Sequence, residues 1–347
     1  MVDDQAGHSR LAVLGTVAFY MVVAISMTLL NKAVLTSTPL PVFLLLCQSG
    51  VAVILLATEN RLGPMKTPKF NIEVAKQLMP LCGVNVLGLT FNNYCLQYVD
   101  ASFHQVARGL VLPCTILVSV VVLRQYPSAL SLTAALTVTS GFFSGVLLDP
   151  SPSSSNPTSH SHASTLGPLF GVLSSLSSAC HAVLIKRGLS TVQNSPIALS
   201  YYNNILSTAA LVPLVILSGE AGGALRLLQG TERATFFWGA GITGFFGFLI
   251  SFASFLSIKV TSPVTHMISS AARGVLQTIL AVYIFHDVLS RGRIISIFLI
   301  ISGSVLYVYA KEKEAKQAKP QKVPIDLRKL ERGGDSEVLF DEKDEKF

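Results

Sequence analysis

Two arginines stand where arginine is costly. Arg273 lies about ten residues into an apolar stretch that begins near residue 263, and Arg108 about six residues into one that begins near residue 102. At ~1.5 Å per helical residue, Arg273 sits roughly 15 Å along its helix. An ionisable group inside a membrane span costs a few kcal/mol or more, so by default it marks a pathway or a binding site. No aspartate or glutamate lies deep in an apolar stretch to neutralise either arginine; Asp100 and Asp287 are at borders. Two unneutralised guanidiniums call for an anion, and the planar fork suits phosphate through paired hydrogen bonds. Each could instead cap the carbonyl end of a neighbouring helix. The missing carboxylates also argue against a proton- or sodium-driven pump, whose relays need them. Exchange of one anion for another needs no relay. Lys32 and Lys259 read as end charges whose stems lie on apolar surface, though either ammonium could guide an anion.

Amides form the second set. Ser200-Tyr201-Tyr202-Asn203-Asn204 opens another apolar stretch, and an amide in lipid is costly unless something hydrogen-bonds it. Its carbonyl acceptor and two N–H donors can match the N1–H, amine and carbonyl edge of guanine. Helix capping or inter-helix bonding accounts for the pair equally well. Asn92-Asn93 form a similar pair. Ser251 and Ser254, three residues apart, share a helix face and could line the same cavity, and Tyr20 is a further candidate. His104, His181 and His266 have no set of carboxylate and cysteine partners at metal-ligand spacing, and His160-x-His162 falls in a Ser/Pro stretch with nothing to hold it. No metal and no cofactor is expected.

The elements that must position these residues are membrane helices. Of 347 residues half are hydrophobic and only 13% are charged, against about 25% charged in soluble domains; the mean hydropathy is +0.56. The charge is also uneven. Residues 311–347 carry ten Lys/Arg and ten Asp/Glu, and 22 charged residues remain between 11 and 310. Such a stretch cannot cover a soluble surface. The +7 net charge sits at helix ends and in short loops, which excludes nucleic acid as the natural partner. The five cysteines all fall in apolar segments without a CxxC pair and read as small hydrophobes.

Apolar runs long enough to cross a ~30 Å hydrocarbon core fall at about 11–33, 41–58, 77–98, 102–123, 129–148, 167–186, 196–218, 234–257, 263–286 and 293–310. The fold class is therefore an all-α membrane protein of ten transmembrane helices. Residues 1–10 precede a first five-helix unit at 11–148, a Ser/Pro-rich linker occupies 149–166, a second unit runs from 167 to 310, and 311–347 form a charged tail. A shift of 162 residues places His104 on His266, Ser128 on Ser290 and Ser140-Gly141 on Ser302-Gly303, with Arg273 falling on Val111. Five being odd, a duplicated unit re-enters the membrane inverted, an architecture of transporters with the site between repeats. With both termini cytosolic, the inner loops and flanks hold fourteen Lys/Arg against five outside: Lys32, Arg226, Arg233, Arg291 and Arg293. That bias fixes the expected orientation, with the linker lumenal.

The YYNN stretch, Leu30-Asn31-Lys32, TFNNYCLQYV at 90–99, VARGL at 106–110 and TSPVTH at 261–266 together resemble the nucleotide-sugar transporters of the drug/metabolite superfamily. More narrowly they are similar to the GDP-fucose transporters of the Golgi, over nearly all of residues 11–310. The resemblance implies ten helices in two inverted five-helix repeats and alternating-access exchange of a GDP-sugar for GMP. It also implies guanine binding by Tyr202, Asn203 and Asn204, where Tyr201 replaces the family's leading Phe. The family's GALNK motif falls on Ser269, Ser270, Ala271, Ala272 and Arg273. Its lysine has become Arg273, which keeps a cation for phosphate, and its asparagine has become Ala272, as in the fucose type. Sugar and phosphate contacts are thus expected from Arg273, Ser269, Ser270, Ser251, Ser254 and Arg108, with His104, His266, Asn92, Asn93, Lys32 and Tyr20 beside them. The expected partners are GDP-fucose, GMP and the Golgi bilayer, and a homodimer is compatible with them. A GDP-mannose exchanger, a membrane transferase and a non-transporting scaffold are the alternatives. The transferase lacks acid/base or metal groups, and the scaffold has no need of intramembrane arginines.

Overall fold

In lipid every backbone N–H and C=O must be satisfied within the protein, and a helix does so residue by residue. The computed structural model describes residues 10–62, 68, 70–124, 126–148, 163–193, 195–260, 263–286 and 290–318. For 10–13, 60, 62, 123, 163–165, 186, 196, 251–260, 263–271 and 315–318 it describes the backbone only. Among these residues the elements are twelve helices: α1 (Arg10–Ser37), α2 (Pro41–Leu62), α3 (Ile72–Tyr98), α4 (Ala101–Gly109), α5 (Val111–Leu123), α6 (Ala129–Leu147), α7 (Ala163–Thr191), α8 (Pro196–Leu217), α9 (Ala221–Gln229), α10 (Arg233–Val260), α11 (Pro263–Phe285) and α12 (Arg291–Ala318). Each expected span falls on one of them except the fourth, which is divided between α4 and α5. Nine described segments are long and apolar enough to cross a membrane, α4 and α5 together counting as one, and the described apolar part of α11 is Ala272–Phe285. Apolar side chains such as Val121 and Phe298 face outward, as lipid requires.

Starts and stops follow local chemistry. Pro41, Pro196 and Pro263 open α2, α8 and α11, where a missing N–H costs nothing. Asn71 caps α3, its Oδ1 accepting from Glu73 N at 2.8 Å. The expected fourth span is interrupted at Leu110, whose N–H turns to Ala107 O at 3.2 Å. Pro113 is the cause: it has no N–H for the Gly109 carbonyl and its ring crowds it. The short helix α9 is an addition to the expected spans. The linker's last residues belong to α7, which starts at Ala163, and 149–162 lie outside the described residues. α12 runs on to Ala318, past the expected boundary at 310. Lys311 pairs there with Glu314 at 2.8 Å, and Glu314 accepts from Ser128 and Ser131 at the start of α6. Residues 319–347 lie outside the described residues.

Small residues let the helices approach. A Cβ at Gly141 on α6 would lie 3.0 Å from Ser296 O of α12, and one at Gly303 on α12 would lie 2.9 Å from Ala134 O of α6. These are the two glycines that the 162-residue shift superposes, and each packs on the other's helix. The neighbour pattern has the same reciprocity. α3 lies on α7 as α10 lies on α1; α2 lies on α10 as α8 lies on α3; α5 lies on α7 as α11 lies on α1; α5 lies on α6 as α11 lies on α12. α6–α12, α2–α8 and α4–α11 each pair a helix with its own counterpart.

Three polar ties gather at one end of the bundle. Lys32 Nζ donates to Leu96 O at 2.9 Å and Val99 O at 2.7 Å, closing the carbonyl end of α3. Arg293 donates to Asp100 Oδ2 at 3.1 Å and Ser102 Oγ at 2.7 Å, joining the starts of α12 and α4. Glu220 accepts from the backbone N–H groups of Val42 and Phe43 at 2.9–3.1 Å and from Tyr94 Oη at 3.1 Å, holding the start of α2. Lys32 and Arg293, read from sequence as outer-loop charges, are thus buried (7% and 1% exposed). The exposed outer basic residues fall correspondingly.

Candidate functional site

Where α1, α3, α4, α7 and α11 converge they leave a cavity of ≈ 310 Å³. Its cationic wall is Arg108, at the last turn of α4 just before the Leu110 break, and Arg273 of α11. Arg273 is 3% exposed, its Nε has no hydrogen-bond partner, and its guanidinium lies 6.0 Å from the centre of the Tyr20 ring. Arg108 is accessible from the cavity itself. Among the described residues neither arginine forms an ion pair. The same two arginines and Val111 also line a second cavity, again ≈ 310 Å³, bounded by α4, α5, α11 and α12. Val111 is the position the internal repeat aligns with Arg273.

Much of the rest of the lining is polar. Asn92 Oδ1 and His104 Nε2 are 3.0 Å apart, and His104 Nδ1 is buried without a partner. With the amide oxygen accepting, Nε2 carries the hydrogen and Nδ1 is left as an acceptor. α7 adds Ser174, Ser175, Ser177, Ser178 and His181. Ser175 donates to Ala107 O at 2.9 Å and Ser174 to Gly88 O at 3.3 Å, so their oxygens keep acceptor capacity. α3 adds Asn85 and α1 adds Thr28 and Asn31, with Asn31 Oδ1 accepting from Gln48 Nε2 at 2.8 Å. The arrangement can hold an anion against two cations and present hydrogen-bonding groups to what the anion carries.

Of the residues singled out from sequence, Arg108, Arg273, Asn92 and His104 come together at this cavity, with Tyr20 behind Arg273. Lys32 caps α3 instead. Asn93 ties α3 to α2 through Pro41 O at 3.3 Å. Tyr202 is buried, accepts from Asn71 N at 2.9 Å and packs on Phe70 with ring centres 5.5 Å apart. Asn204 donates within its own helix to Ser200 O at 2.8 Å. Asn203 Oδ1 is buried and has no partner. None of Tyr202, Asn203 and Asn204 lines either cavity. Asn203 leads one turn on to Ser207, whose Oγ is 3.5 Å from Asn85 Nδ2 on the cavity wall. Ser251, Ser254, His266, Ser269 and Ser270 lie outside the residues whose side chains are described.

Sequence reading missed the α7 wall. Its signal was present: Ser174, Ser178 and His181 recur at i, i+4 and i+7, a polar stripe on an apolar helix. Arg293, Asp100 and Glu220 gave no comparable signal, because their partners are distant in sequence.

The chain is similar to proteins of known name over most of its length. It is 33% identical over 317 residues to an uncharacterized transporter of Schizosaccharomyces pombe, covering 91% of this chain and 79% of that one. It is 33% identical over 333 residues to GDP-fucose transporter 1 of Nematostella vectensis, covering 93% and 96%. A GDP-mannose transporter of Meyerozyma guilliermondii is 23% identical over 319 residues, covering 88% and 87%. A solved crystal structure shares the fold, with a TM-score of 0.56 at 15% identity over 88% of this chain and 100% of that one. Residues 11–308 match the Triose-phosphate Transporter family. With that match spanning nearly every helix that builds the cavity, the chain belongs to the Triose-phosphate Transporter family.

Proposed function

We propose that this transporter carries a GDP-sugar, GDP-fucose foremost, across the Golgi membrane in exchange for GMP. The observation that carries the reading is the cavity's cationic wall: two arginines within the bundle, neither ion-paired among the described residues, one with an unpartnered Nε. Phosphate oxygens are the natural complement of such a wall. The similarity to GDP-fucose transporters supports the guanine and the fucose, and the lower identity to the GDP-mannose transporter agrees with Ala272 standing before the cation. Asn203, with its free buried oxygen one turn from the Asn85–Ser207 contact, is the amide we assign to the base.

Exchange follows from electrostatics. Burying two uncompensated cations costs several kcal/mol per ion, so the empty carrier is held back from occluding its site. A bound phosphate removes that cost, and either the GDP-sugar or GMP supplies it. Only loaded forms then cross, which is obligatory exchange. The reciprocal neighbour pattern and the mutually packed Gly141 and Gly303 support a duplicated five-helix unit and alternating access between its halves. The charge bias, strengthened by the burial of Lys32 and Arg293, supports cytosolic termini.

Thermal unfolding of the purified protein tests the ligand class, since a ligand that binds only the folded state raises the midpoint. GMP and GDP-fucose are expected to raise it and UMP to leave it unchanged. An equal rise with UMP, or none with GMP in monodisperse protein, would overturn the reading.

A further inference from the structure

We infer that the second cavity is the sugar subsite, so that the substrate's diphosphate bridges two chambers at the wall they share; this rests on the GDP-sugar reading above. A nucleotide sugar has three parts in line: nucleoside, diphosphate, hexose. The protein offers three parts in the same order. One chamber is lined by amides, serines and histidines of α3, α4 and α7, the shared wall holds Arg108 and Arg273, and the other chamber lies between α5, α11 and α12. Because both arginines line both chambers, an anion they hold has one neighbour on each side.

The second chamber has the chemistry of a sugar site, with polar and apolar sides. Thr115 and Ser304 give their hydroxyl hydrogens to Val111 O and Ile300 O, both at 2.7 Å. Their oxygens therefore retain lone pairs for sugar hydroxyls to donate to. Leu112 and Ile301 complete an apolar side against which a C6 methyl group is buried without loss. Gln105, whose Oε1 is buried without a partner, and Tyr307 stand in the same lining and offer acceptors to further hydroxyls of the sugar. The chamber thus accepts the hydroxyls of a sugar on one side and an apolar substituent on the other, while the polar chamber reads the nucleoside.

GMP has no sugar beyond its phosphate and occupies only the first chamber. That separates the two subsites experimentally. Ser304→Leu narrows the second chamber, and Thr115→Val removes a hydroxyl at nearly constant volume. In GMP-loaded proteoliposomes, GDP-fucose uptake should fall about tenfold or more in Ser304→Leu, as expected for a pocket wrong by a few methylenes. GMP/GMP exchange should stay within about twofold of wild type on the same grounds. Thr115→Val should reduce GDP-fucose uptake and leave GMP exchange in place. Parallel loss of both activities in folded protein, or no change in either, would overturn the assignment; the second result is expected if lipid rather than sugar fills this chamber. Absence of GMP exchange in the wild type would instead overturn the guanine-nucleotide reading and is scored apart.

Discussion

At the scale of single residues, burial and partners divide candidates that sequence treats alike. Arg273 and Lys32 are both cations in apolar helices, but Lys32 spends its ammonium on two carbonyls while Arg273 keeps a nitrogen unpaired. If Arg273 holds phosphate, Arg273→Ala should lower GMP affinity by about 3 kcal/mol, on the order of a hundredfold, with folding retained. Arg273→Lys keeps the charge without the fork and should lose roughly tenfold. Isothermal titration on detergent-purified variants reads both, and an unchanged affinity in Arg273→Ala would remove it from the site. The adjacent amides should also separate. Asn203→Ala is expected to weaken GMP and GDP-fucose together, whereas Asn204→Ala, whose amide already serves Ser200, should weaken neither by more than about threefold, the worth of one hydrogen bond between polar side chains in a membrane helix bundle. Equal losses in the two variants would contradict the division of roles drawn from their contacts.

At the scale of elements, the interrupted span and the buried ion pair make opposite predictions. Pro113→Ala restores an N–H for the Gly109 carbonyl and lets α4 run into α5, a change worth up to ~3 kcal/mol of helix stability. It should leave or raise the melting temperature while slowing exchange, because the break sets the direction of Arg108. Unchanged exchange would argue that the break is incidental. Asp100→Asn leaves Arg293 buried beside a neutral amide and should destabilise by about 3–5 kcal/mol, read as a lower melting temperature before any effect on ligand selectivity. Most of this level was legible in the sequence. Apolar length marked the nine described spans, whereas 102–123 reads as one uninterrupted span and Pro113, which breaks it into α4 and α5, was passed over. The ties made by Glu220 and Arg293 were not legible, since a charged residue near a helix end looks the same whether it faces water or caps a helix far along the chain. The α7 polar stripe was legible by period and passed over because serine is common in membrane helices.

At the scale of the whole molecule, the two halves trade neighbours in a regular way, and the ties made by Lys32, Arg293 and Glu220 all lie at one end. A carrier that alternates must loosen that end to open its cavity on the other side. On the exchange proposed above, an anion held by Arg108 and Arg273 would also compensate their charges while the carrier changes conformation. The sequence carries the signs of an internal repeat in His104, Gly141 and their partners 162 residues on. It could not indicate that Gly141 and Gly303 would pack on each other's helices, because that is a property of the assembled bundle. The central claim is guanine-nucleotide exchange, and it is tested most directly by labelled GDP-fucose uptake into proteoliposomes with and without GMP inside. Uptake should require internal GMP, be blocked by external GMP, and be indifferent to UDP-galactose. Uptake by folded protein that is equally fast without internal GMP, or equally blocked by UDP-galactose, would contradict the account.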